Sequence, residues 1–173
     1  MTVRRVVRMA WPLGLLLAVA LLEPVLTVRL RLVDGRPDLV LVLIVACALV
    51  RGPEAGAVWG FAGGFLQDLL SGHALGLEAG LKGVLGFLLG LASGAVLLEG
   101  ILLPFGATVA ATGIHALLAR GLAELVGVPL GPGSWQGLGV AACANGALAP
   151  LAFRVFRFGA HRPSVTDAAA RRG

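Results

Sequence analysis

Six ionisable side chains lie inside or beside strongly apolar runs: Glu23, Asp38, Asp68, Glu78, Lys82 and His115. Carboxylate, ammonium and imidazole groups in such company can hold a cation, recognise a polar partner or pair with one another, and they are costly in an apolar medium unless paired or wetted. Glu78 and Lys82, four residues apart, fall on one face of a helix and can pair there. Catalytic constellations are missing. His73, His115 and His161 are not at metal-ligand spacing, and no serine, cysteine or acid neighbour completes a triad. The run GAVWGFAGG lacks the lysine and the strand-to-helix setting of a phosphate loop. The residues point away from an enzyme and call for neither metal nor cofactor.

The elements that must position these side chains follow from composition. Of the 173 residues, 58% are hydrophobic and only 13% charged, with a mean hydropathy of +0.93; soluble domains carry roughly 25% charge. An all-α integral membrane protein is expected, and at about 20 apolar residues per crossing the chain has room for about six spans. They are placed at about 9–32, 38–50, 53–70, 77–98, 101–118 and 134–153, within one domain over 1–158. Residues 159–173 form a short polar tail with too little apolar surface to fold alone. The basic start and first apolar run resemble a secretory signal, but Leu22, Glu23 and Pro24 stand where a small-x-small cleavage site would fall, so the run is read as a retained anchor. Cys47 and Cys143 sit in apolar runs and define no disulfide framework.

The organising stretch is Arg36 to Gly76. Pro37-Asp38 starts the second span, since proline cannot continue a preceding helix and aspartate caps free amides. Arg51-Gly52-Pro53 turns the chain into the third, which closes near Gln67, Asp68, Ser71 and Gly72. Gly52, Gly56, Gly60, Gly64, Asp68 and Gly72 recur every fourth position, a ridge along which another backbone can approach, either within the chain or from a partner. Glu78, Lys82, Gly86, Gly90 and Gly94 make a similar row in the fourth span, and Asn145 lies inside the sixth.

Six spans put both termini on one side. With both inside, Arg4, Arg5, Arg8, Arg51, Arg154, Arg157, Arg162, Arg171 and Arg172 are cytoplasmic against Arg29, Arg31, Arg36 and Arg120 outside, although the arginines after the first span argue mildly the other way. The net charge of +5 is thereby explained by orientation rather than by nucleic acid. In this topology the six ionisable residues fall in the outer half of the membrane or at its outer surface. Glu23, Glu78, Lys82 and His115 either face one another across an outward-opening pocket or snorkel separately to water, and Asp38 is either part of that pocket or a plain helix cap.

The stretch 36–76 resembles the rod shape-determining MreD family. The resemblance is carried by Pro37-Asp38, the leucine-rich Leu39 to Val50, Arg51-Gly52, Gly60-Phe61, Gly64, Asp68-Leu69-Leu70-Ser71-Gly72 and Leu75-Gly76, about 40 residues in all. It implies a non-enzymatic, multi-pass subunit of the bacterial cytoplasmic membrane, working in the cell-elongation complex beside the bitopic protein MreC, the polymerase RodA, a class B penicillin-binding protein and the MreB filament. It also implies a fold similar to the S-components of energy-coupling-factor transporters. Carried onto this chain, the family role falls on Asp38 and Asp68, with Gly60, Gly64 and Gly72 shaping a close approach.

Two docking ideas follow. In the first, the glycine ridge and the polar outer pocket receive the membrane helix and juxtamembrane region of MreC. In the second, the pocket holds a vitamin-like small molecule and the row Ala10, Gly14, Ala18 docks a transporter module. Against the second, the chain has no tyrosine, and Trp11, Trp59 and Trp135 are spread over different spans, leaving few aromatic walls. A proton pathway lacks a matching relay in the inner half.

Overall fold

The computed structural model describes residues 14–25, 35–72, 75–93, 102–127 and 134–159. Among these it contains six helices and no strand: α1 (Gly14–Val25), α2 (Leu39–Arg51), α3 (Pro53–Ser71), α4 (Leu77–Ala92), α5 (Leu102–Val126) and α6 (Trp135–Gly159). Ala10, Trp11, His73, Gly94, His161 and the tail from residue 160 lie outside the described residues. Leu102–Leu125 and Trp135–Arg157 are long and apolar enough to cross a membrane, by length and composition.

α2 is the axis. Every residue from Val40 to Leu49 is buried, so a helix apolar all round finds protein on all sides. Its thirteen residues reach only about 20 Å, and the chain before it compensates. Residues 35–38 are non-helical and lie along α6, where a side chain at Gly35 would strike the Gly137 carbonyl and the Val140 side chain. At its other end Arg51 stands 5.5 Å over the ring of Phe156, itself edge-on to Trp59 with centroids 6.4 Å apart.

α3 and α4 are antiparallel and meet backbone to backbone. A Cβ at Gly56 would collide with the Gly86 carbonyl, one at Gly60 with the Lys82 carbonyl, one at Gly64 with the Glu78 carbonyl, and one at Gly90 with the Pro53 backbone. The two fourfold rows of the sequence therefore face each other, and α4 covers the α3 ridge within the chain. Gly52 (φ 94°) and Gly72 (φ 67°) have open space around the missing Cβ and serve another purpose, since their left-handed φ ends α2 and α3 at little cost.

Two segments run longer than the sequence reading. α5 continues past Leu118, where the fifth span was placed to end, to Val126, and Gly127 (φ 72°) follows its end. Arg120 lies within this extension with its guanidinium 5.4 Å over the Trp135 ring, a contact that accommodates the cation. α6 passes through Pro150 and on to Gly159.

Candidate functional site: a buried polar network on the helix ends

Glu23 comes from the last turn of α1, Asp38 from the cap of α2, Gln67 from the last turns of α3, Glu78 and Lys82 from the start of α4, His115 from α5 and Asn145 from α6. The structure brings all seven together. Lys82 is at the centre, 1% exposed, with Nζ 2.6 Å from Asp38 Oδ2 and 2.9 Å from Glu78 Oε2, and it also donates to Gln67 Oε1. Gln67 uses its Nε2 on the other side, donating to both Glu23 oxygens at 3.1 Å and to Asp38 Oδ1 at 3.2 Å. His115 Nε2 lies 2.9 Å from Glu78 Oε2, tying α5 to α4.

Asp38 holds four helices at once, α3 through the Gln67 amide and three others. Its Oδ1 accepts from Leu41 N at 2.8 Å and caps α2, its Oδ2 pairs with Lys82, and its own N–H donates to Asn145 Oδ1 at 3.0 Å. Asn145 Nδ2 donates to Thr112 Oγ1 at 3.1 Å, and that hydroxyl donates to the Thr108 carbonyl at 2.8 Å. Asp38 is thus a helix cap and a member of the polar network at once.

Asp68 is elsewhere. Fully buried at 0% exposed, it accepts from Gly76 N at 2.9 Å, Glu78 N at 3.1 Å and Ala79 N at 3.2 Å. It caps α4 from the neighbouring helix and places a negative charge at the positive end of the α4 dipole. Of the two uses the sequence allows for the ridge, approach within the chain is the one seen here: α4 packs on Gly56, Gly60 and Gly64, and its first amides take up Asp68. Of the other motif residues, Ser71 is exposed and donates to the Gln67 carbonyl, and Phe61 is exposed and stacked on Phe65 at 6.2 Å. Pro37 precedes the cap in the non-helical stretch.

The network lies level with the middle of the two long apolar helices. His115 stands about 20 Å along α5 from Leu102 and about 15 Å from Leu125, and Asn145 is similarly central in Trp135–Arg157. Non-helical backbone at such a depth is tolerated only against protein or a wetted cavity, and residues 35–38 lie against α6.

Gln67 is the member whose role sequence reasoning missed, and Thr112 went unmarked. Their signal was weak because uncharged polar residues are unremarkable in membrane helices, but both stand on faces that meet the ionisable set. By spacing, ligand atoms of Asp38, Glu78 and His115 lie within 4.8 Å of one another and could hold a metal ion. The Lys82 ammonium already serves Asp38 and Glu78, so the cation at the centre is the protein's own.

A sequence model of the family described as rod shape-determining protein MreD matches residues 4–129. That range covers more than half of the chain and takes in α1 to α5, with every member of the network except Asn145. No curated protein and no solved structure matches.

Proposed function

The chain belongs to the MreD family of rod shape-determining proteins, and on that premise we propose that it is a non-enzymatic, six-span subunit of the cytoplasmic membrane that docks MreC in the cell-elongation complex, with both termini cytoplasmic. In this role it stands beside RodA, a class B penicillin-binding protein and MreB and supports lateral peptidoglycan synthesis. The observation that carries the reading is the polar network. Ionisable residues at the depth of apolar helices are retained for function more often than for stability, and here they join six helices at one level, with the Lys82 ammonium at their centre.

Docking takes place at the network's open edge, because the glycine ridge is covered by α4. Short extramembrane connections leave recognition to helix faces, where packing and buried polar groups supply the contact. The test is affinity purification of the tagged protein from native membranes in mild detergent, with its companions identified by mass spectrometry. MreC and the elongation polymerase are the expected companions. An ATPase-coupled transporter module or a tightly bound small molecule in their place would overturn the reading.

A further inference from the structure

The end of α2 away from the polar network is basic. Asp38 caps one end of that helix, and Arg51 closes the other. The last turns of α6 bring Arg154 and Arg157 to the same end, and among the described residues Glu54 is the one acid there. Glu54 opens α3, where its charge suits the positive end of the helix dipole, and no ion pair joins it to an arginine. Among the described residues no carboxylate or carbonyl accepts from any of the three guanidiniums.

Buried aromatic rings hold two of these cations in place. Arg51, half-buried, stands 5.5 Å over the ring of Phe156, and Arg157 stands 5.8 Å over the ring of Phe153. Phe153 and Phe156, three residues apart, share one face of α6, and both rings are in the core, with Trp59 edge-on to Phe156. A cation over a ring keeps its N–H donors for another acceptor. An arginine kept for orientation alone needs only to reach water, whereas two fixed over neighbouring rings make a surface of set geometry. Their level is set too: Arg157 ends the apolar length Trp135–Arg157, which puts the cluster at the boundary between hydrocarbon and headgroups.

We propose that Arg51 and Arg157, with Arg154 beside them, form a seat for the phosphate of an anionic phospholipid headgroup. The planar guanidinium matches phosphate oxygens, and the bound anion relieves the repulsion among three cations. Leu148, Leu151 and Val155 are exposed on α6 and lead from this end towards the middle of the helix, an apolar track for the acyl chains that a free phosphate or an acidic protein segment would leave uncovered. In the orientation proposed above this end is cytoplasmic, the side on which anionic lipids meet basic clusters. The seat is independent of the network and of MreC docking.

The experiment uses the purified full chain carrying Cys143→Ser in mild detergent, with the melting midpoint read by labelling of Cys47, which is buried in α2. Dioleoyl phosphatidylglycerol or dioleoyl phosphatidylcholine is titrated into the micelles, and the first is expected to raise the midpoint at concentrations where the second does not. Arg51→Gln and Arg157→Gln are each expected to increase the phosphatidylglycerol concentration needed for half the shift about fivefold, and together about thirtyfold. Arg36→Gln, at the other end of α2, is expected to leave it unchanged. In the unaltered chain, an equal rise with both lipids, or none with either, would overturn the inference without any variant having to fold. A matching rise with inorganic phosphate would overturn it in favour of a free-anion site. A shift that survives the double substitution would place the lipid elsewhere, and equal weakening by Arg36→Gln would reduce the effect to bulk charge.

Discussion

α3 and α4 meet twice, and by opposite means. Along Gly56, Gly60 and Gly64 they are joined by shape alone, backbone against backbone, with no side chain between them. A turn or two further on, Gln67 and Lys82 join them by charge and hydrogen bonding, and Glu23, Asp38, Glu78, His115 and Asn145 enlist four other helices. In a membrane protein neither device depends on a hydrophobic drive between helices. The seam is intolerant of added volume and indifferent to charge. The network tolerates changes of volume at its open edge and is intolerant of changed charge.

The largest effect is expected where the network loses its centre. Lys82→Met keeps an unbranched side chain of similar length but leaves Asp38 and Glu78 facing each other without a cation, a change that costs about 3–5 kcal/mol for a buried pair. A maleimide dye in a Cys143→Ser background reads it well, because Cys47 is buried in α2 and labels when the bundle opens. Lys82→Met is expected to lower the labelling midpoint temperature by far more than any single-residue change in the seam. An unchanged midpoint would mean that the carboxylates need no cation at the centre.

Gly60→Ala is expected to come next. One methyl group there strikes the Lys82 carbonyl, and since backbone cannot rotate away, the helices must separate; overpacking of this kind costs about 1–3 kcal/mol. Here the size of the side chain matters and its polarity does not, so Gly60→Ser is expected to match Gly60→Ala. If serine were tolerated where alanine is not, the seam would not be the dry steric contact it is taken for.

Both regions were legible in the sequence, to different degrees. The fourfold glycine rows announced close approach because helical periodicity is local, and two rows in adjacent spans left few partners but each other. The meeting of Glu23, Asp38, Glu78, Lys82 and His115 followed from placing helix ends on one side. What was not legible was division of labour. Asp68 shares the glycine spacing, yet it caps α4 across a turn, and only the Gly72 and Gly76 conformations bring those amides within its reach. The position of the network along the long helices was not legible either, because α5 and α6 run farther than the spans placed for them, so that the ends of the shorter helices fall opposite the middle of the longer ones.

The smallest effect sharpens the comparison most, because it asks for the opposite sign. Gly80 lies in α4 between Glu78 and Lys82, but it points away from α3, is exposed, and has nothing within 4 Å of where a Cβ would stand. A helical glycine without a packing role costs helix stability, so Gly80→Ala is expected to stabilise by about 0.4–1 kcal/mol. Gly86→Ala, six residues on in the same helix, meets the Gly56 carbonyl and is expected to destabilise. Unfolding of the two variants side by side separates glycine kept for contact from glycine that merely occupies a helix. Destabilisation by both would point to a surface over Gly80 that something outside this chain covers.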